Sequence, residues 1–239
     1  MKLSLALLGL LVPAFFVTAE LPSWSELVDR ARWAANAHNV QSWKLVEVSG
    51  RPDQKRLIVD PTRLLPETDP PQRQLTISLG AFLAVLEDEA ADRGASVTWV
   101  QDKADSGIVL TLAEGPRVPR PQPVVDALTA PTVKYRTTAL RLDEAFRRSQ
   151  EAQATDTVGV RWLTDPTESE AVQSWAKAAF NLEMDLPRTR DESIRYTRYG
   201  EAARKTLPWG ITLVPNFPDG NLFWIETLAS LFPQSPQEY

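Results

Sequence analysis

AHNVQSW, residues 37–43, places the chain's single histidine, an asparagine, a glutamine and a tryptophan at a junction between a helical pattern and an extended one. A plain turn uses Gly, Pro or Asp, which supply the backbone angles a turn needs. The side chains here reach further than that. Upstream, Ser23-Trp24-Ser25-Glu26 reads as a capping box, and Leu27, Val28, Ala31, Ala34 and Ala35 recur at helical spacing, so a helix is expected over roughly residues 24–37. Downstream, Trp43, Leu45 and Glu47 alternate with Lys44, Val46 and Val48. The turn-like SGRPDQK and a second β-rich run, RLIVD, complete an expected hairpin.

Further along, Asp69-Pro70-Pro71-Gln72 is expected to cap a second helix whose Leu75, Leu79, Phe82, Leu83 and Leu86 form one face, with Gly94 ending it. SVTWV and GIVLTL flank the turn-like QDKADSG as a second antiparallel pair. EGPRVPRPQP is an extended, proline-rich connector. A helix is expected from near Val124 to Pro131, and VKYRTTALRLDEAF is a polar segment leading into a short helix. TVGVRWLTD reads as a strand, and Asp165-Pro166-Thr167-Glu168 caps a long helix through about Met184. From Gly200 onward prolines recur, with one short helix expected over Leu222–Leu231 and no closing strand. The sum is an α+β fold, a mainly antiparallel sheet flanked by helices.

Composition narrows the chemistry. The 239-residue chain has no cysteine, which rules out disulfides, thiolate metal sites and a cysteine nucleophile. One histidine leaves no His-rich metal site, and restricts any Ser-His-Asp triad to the surroundings of His38. A net charge of −5 gives nucleic-acid binding no electrostatic support. Residues 1–19 read as a signal peptide: Lys2, an uncharged apolar run from Leu3 to Val17, then Val17 and Ala19 at the positions a signal peptidase reads. That run would span only about 22 Å as a helix, short of a bilayer core of roughly 30 Å. A cleaved, periplasmic or secreted domain over residues 20–239 is therefore expected, with an uncleaved N-terminal anchor as the alternative.

Two clusters offer binding chemistry. His38, Asn39, Gln41 and Trp43 bring amides, an imidazole and an indole together, and two readings stand. One is a helix C-cap, with Asn39 left-handed and Trp43 in the core. The other is a pocket for a planar, polar-edged ligand. Lys134, Arg136, Thr137, Thr138 and Arg141 form the second cluster, suited to a phosphate or else a solvated basic loop.

ARWAANAHNVQSWKLVEV, residues 31–48, resembles the nitroreductase-like flavoproteins, whose pattern at this place is A-P-S-x-x-N-T-Q-P-W. Residues 60–94 resemble the next family segment, an Asp-Pro turn followed by R-x-x-x-I-S-x-G-A-x-L. YRTTALRLDEAF is similar to the R-T-N-R-x-x-F segment of a branch whose single chain carries two nitroreductase halves and includes flavin-sequestering members. The resemblance covers roughly residues 24–200. It implies FMN as cofactor, with Asn39 and Gln41 on the isoalloxazine edge or ribityl chain, His38 lining the same pocket, and Arg136, Lys134 and Thr138 on the phosphate. It further implies hydride transfer from reduced flavin to a small electron acceptor, no side-chain nucleophile, and a possible homodimer. Flavin storage without turnover, or a structural subunit, is the alternative. Ala35, Asn36, Val40 and Ser42 depart from the family's Pro, Ser, Thr and Pro, and Ala139 or Leu140 replaces a second arginine. The branch continues past the counterpart of Tyr239, so a partner subunit is expected to supply its closing strand and helix, or the site is open.

Overall fold

The computed structural model describes residues 21–102, 107–119, 143–198, 206 and 209–212. The expected signal segment, the helix from Val124, the phosphate cluster and the 222–231 helix lie outside the described residues. Among those residues no helix is long and apolar enough to cross a membrane.

Helix α1, Trp24–Ala31, starts as expected: the Ser23 hydroxyl accepts from the Glu26 N–H, and the Glu26 carboxylate accepts from the Ser23 N–H at 2.8 Å. It ends six residues before the expected boundary. Asn36 is extended, and its side chain donates to the Ala34 carbonyl at 2.9 Å and accepts from the Gln41 N–H at 3.0 Å. A short amide competing for the backbone in this way stops a helix whatever the apolar spacing around it.

Strands β1 (Trp43–Glu47) and β2 (Gln54–Val59) form the expected hairpin, with Leu45 opposite Leu57, and Gly50 takes the left-handed conformation its turn requires. Strands β3 (Ala95–Gln101) and β4 (Ile108–Glu114) pair in turn, and β4 lies against β2, giving an all-antiparallel sheet in the order β1-β2-β4-β3. Helix α2, Arg73–Asp92, packs Phe82, Leu83 and Leu86 on one face of that sheet beside Leu27 of α1. Trp43 meets Phe82 with ring centroids 4.9 Å apart. Gly94, at φ 77°, closes the helix as expected. The α+β architecture follows from these contacts.

The second half is looser. Helix α3 spans Glu144–Glu151, α4 spans Pro166–Asp185 with Asp165 accepting from the Thr167 and Glu168 N–H groups, and α5 spans Pro187–Arg195. Residues 157–165, expected as a strand, form none: a β-rich run becomes a strand only with a neighbour to complete its hydrogen bonds, and none of the described strands pairs with it. A short parallel pair joins β5 (Thr197–Arg198) to β6 (Ile211–Thr212). A second small core of Val40, Leu65, Tyr196 and Trp209 links this half to the first.

Candidate functional site

The 36–43 loop divides its side chains between two sides. Asn36, Ala37, Val40, Ser42 and Trp43 line a cleft of about 150 Å³. The facing wall comes from residues 64–78, with Leu64, Leu65 and Leu75 supplying apolar surface and Asp69, Gln72 and Ser78 polar atoms. The start of α2 holds that wall in place. Asp69, buried, accepts from the Leu75 N–H at 2.9 Å and so caps the helix from three residues outside it, while Gln72 sits left-handed at the N-cap with no side-chain bond. Ser78 donates to the Gln74 carbonyl at 2.6 Å and accepts from the Ala37 N–H at 3.2 Å, tying loop to helix. Ser42 donates to the Arg63 carbonyl.

His38, Asn39 and Gln41 do not line the cleft. All three have left-handed backbones, at φ 51°, 50° and 51°. Such a conformation costs a non-glycine residue roughly 1–2 kcal/mol, so it persists only where partners hold it. For His38 and Asn39 those partners come from far along the chain. His38 Nε2 and the Ser193 hydroxyl share a 2.9 Å hydrogen bond. Asn39 makes two contacts with Gly210: its carbonyl accepts from the Gly210 N–H at 2.7 Å, and its Nδ2 donates to the Gly210 carbonyl at 3.1 Å. Gln41 is buried, and its side chain donates to Asn39 Oδ1 at 3.4 Å. Asn39 is left-handed and Trp43 is in the core, as the cap reading expected, but Asn39 does not cap α1, whose C-cap is Arg32.

The remaining links of this clasp are polar as well. Glu192, buried, accepts from the Glu67 N–H at 3.2 Å, the Thr68 N–H at 2.8 Å and the Thr68 hydroxyl at 2.8 Å. The Tyr196 hydroxyl donates to the Leu64 carbonyl at 3.0 Å. Arg63 and Arg198 both lie over the Trp209 ring, at 4.7 and 4.2 Å from its centroid.

Electrostatics near the loop follow from burial. Burial holds the His38 pKa below its ordinary value, with Glu183 and Glu192 pulling it part of the way back, so the imidazole is neutral at pH 7. At the end of β2, burial pushes the Asp60 carboxyl up, but hydrogen bonds from Thr62 and Lys44 outweigh it and leave its pKa below the usual range. No group of three or more potential metal ligands occurs among the described residues. Lys134, Arg136 and Thr138 lie outside those residues.

Of the residues expected to bind a ligand, His38, Asn39 and Gln41 lie in the loop beside the cleft and outside its lining. Asn36, Ser42, Asp69 and Ser78 were not singled out as site residues, because each looks like an ordinary turn or cap residue. The Asp-Pro-Pro signal did mark Asp69 as a cap. No family model matches the chain, and no curated protein matches it.

Proposed function

We propose that this chain is an FMN-binding oxidoreductase of the nitroreductase type, with one edge of the isoalloxazine lodged in the cleft beside residues 36–43. One observation carries the reading: the two stretches that resemble the family, residues 31–48 and 60–94, supply the two facing walls of a single cleft. Its chemistry suits a flavin edge. Val40, Leu65 and Trp43 offer apolar walls, and the Asp69 carboxylate has acceptor capacity beyond its bond to Leu75 for a ring N–H. At about 150 Å³ the cleft is below the roughly 300–1,000 Å³ of pockets that enclose a whole drug-sized ligand, so it fits one ring edge and no more. Arg136, Lys134 and Thr138 would hold the phosphate.

Bound FMN supplies hydride transfer to a small electron acceptor, and the protein's share is to bind, orient and shield. Trp43, backed by Phe82, keeps water from the apolar side. No side chain need act as a nucleophile. Export through residues 1–19 belongs to the same proposal, and N-terminal sequencing of the protein from its native host tests it: a chain that keeps Met1 overturns cleavage.

A second reading is a protein that holds flavin without turnover, or a degenerate structural subunit. The amides of Asn39 and Gln41 favour it, because they are engaged with the chain's own Gly210 and Asn39. The test is a visible absorption spectrum of the purified chain with an FMN titration. Flavin that is bleached by a reductant and reoxidised by a quinone or nitroaromatic supports the enzyme. Bound flavin that no acceptor reoxidises supports storage, and a protein that stays colourless in excess FMN sinks both.

A further inference from the structure

Helix α5 stands behind both walls of the cleft. On one side Ser193 bonds His38, while Ala37 and Val40 on either side of that histidine line the cleft. On the other, the Tyr196 hydroxyl donates to the Leu64 carbonyl, and both oxygens of the Glu192 carboxylate are filled by the Glu67 N–H, the Thr68 N–H and the Thr68 hydroxyl. Arg188, one turn earlier on α5, meets the Glu67 carboxylate at 3.5 Å. Val40 joins the two sides, because it lines the cleft and also packs with Leu65, Tyr196 and Trp209.

The 65–69 turn is the part of the wall that depends on α5. Its own bond runs from the Asp69 N–H to the Leu65 carbonyl at 2.7 Å, and it presents Leu65, Pro66 and Asp69 to the cleft. Direct bonds between the walls fall on either side of it, from Ser42 to the Arg63 carbonyl and from the Ala37 N–H to Ser78. Glu192 is 3% exposed, so water cannot take over its bonds, and loss of the carboxylate strands two backbone donors of the turn. We propose that Glu192 is a positioning residue of the cleft: by holding the 65–69 turn it fixes the gap between Asp69 and residues 36–43, and cleft occupancy and docking of α5 therefore reinforce one another. The coupling is reciprocal, since whatever docking does for a ligand's affinity the ligand does for docking. Hydrogen bonds alone supply the geometry; only the choice of occupant, FMN, rests on the flavin reading.

Two measurements keep the two readings apart. In an FMN titration, Glu192→Gln, which keeps the shape but sets amide hydrogens against the turn's donors, should raise Kd roughly tenfold, and Tyr196→Phe should raise it less. Asp69→Asn should leave Glu192→Gln little further effect, because a residue that acts through Asp69 has nothing to position once Asp69 is changed. The second measurement needs no ligand. The chain has no cysteine, so single thiols can be placed at two buried sites, Val40→Cys in the cleft wall and Ala90→Cys in the main core. Combined with Glu192→Gln, Val40→Cys should react with a thiol reagent roughly tenfold faster and Ala90→Cys at an unchanged rate, with Tyr196→Phe giving a smaller change of the same kind. Equal Kd values for the wild type and both variants overturn the proposal, as do additive effects of Glu192→Gln and Asp69→Asn. So does acceleration of both thiols together, which marks Glu192 as a general support of the fold, or of neither. A chain that binds no FMN ends the flavin reading alone, and the two thiol rates then decide.

Discussion

The sheet with α1 and α2 keeps Phe82, Leu27, Leu86 and Leu110 fully out of water, whereas α4, as long as α2, keeps nothing out of it. Both helices have well-formed first turns and comparable apolar content, so local propensity does not separate them. What separates them, among the described residues, is a partner. In the first region the faces of α1, α2 and the sheet that turn toward one another close over a shared core, and the energy of the fold resides there. The arm of α4 and α5 is attached through hydrogen bonds at Ser193, Glu192 and Tyr196 and the small core of Val40, Leu65, Tyr196 and Trp209. Such a joint is directional and sensitive to single polar groups, and it can open while the core stays closed.

The largest expected effect tests the contrast directly. Phe82→Ala should cost about 3–5 kcal/mol in urea unfolding, because it removes a fully buried ring stacked near Trp43. Phe180→Ala, at an exposed site, should stay within about 0.5 kcal/mol. Equal losses would mean that α4 is as well packed as the sheet, and the contrast would fall.

Next comes the joint. Glu192→Ala leaves three donors on Glu67 and Thr68 without their acceptor and should weaken arm docking by roughly 1.5–3 kcal/mol. Hydrogen exchange should speed up in residues 64–68 and 36–40 and stay slow in residues 82–90. Uniform acceleration would show that arm and core unfold as one unit.

Within the first region, Ser23→Ala should lower stability by about 1 kcal/mol through loss of the capping box on α1. The readout is the urea midpoint, and no shift would mean that α1 is held by packing alone.

The smallest effect is a pH dependence of the clasp. The folded pKa of His38 is lowered, so the unfolded chain binds the proton more readily. The contribution of His38 is therefore fully present above its ordinary value of about 6.5 and declines as pH falls below it. Exchange at residues 36–40 should rise from pH 7 to pH 5.5 in the wild type but not in His38→Gln. An identical profile in the variant would remove His38 as the cause.

Much of the first region was legible because its signals are local and agree with one another. Alternation in Trp43–Glu47, the turn at Gly50, the apolar face of residues 75–86 and the stop at Gly94 each depend on neighbours a few positions away, and each appears where expected. Two elements depart from the spacing. Helix α1 ends at Ala31, ahead of the loop that Asn36 ties to Gln41, and residues 157–165 have no pairing strand among the described residues, while His38 and Asn39 bond to Ser193 and Gly210.

The site divides in the same way. That residues 37–43 carry unusual hydrogen-bonding capacity is plain from the amino acids, since side-chain chemistry is written residue by residue. Which side of the loop each residue occupies is set by three left-handed backbones, and a non-glycine residue adopts that conformation only when distant groups outweigh its cost. For His38 and Asn39 those groups lie more than 150 positions away, at Ser193 and Gly210, and Gln41 is tied to Asn36 and Asn39 within the loop. Composition and periodicity therefore settled the antiparallel sheet and its central helix, while the cleft and its lining arose only when segments remote in the chain met and fixed the loop between them.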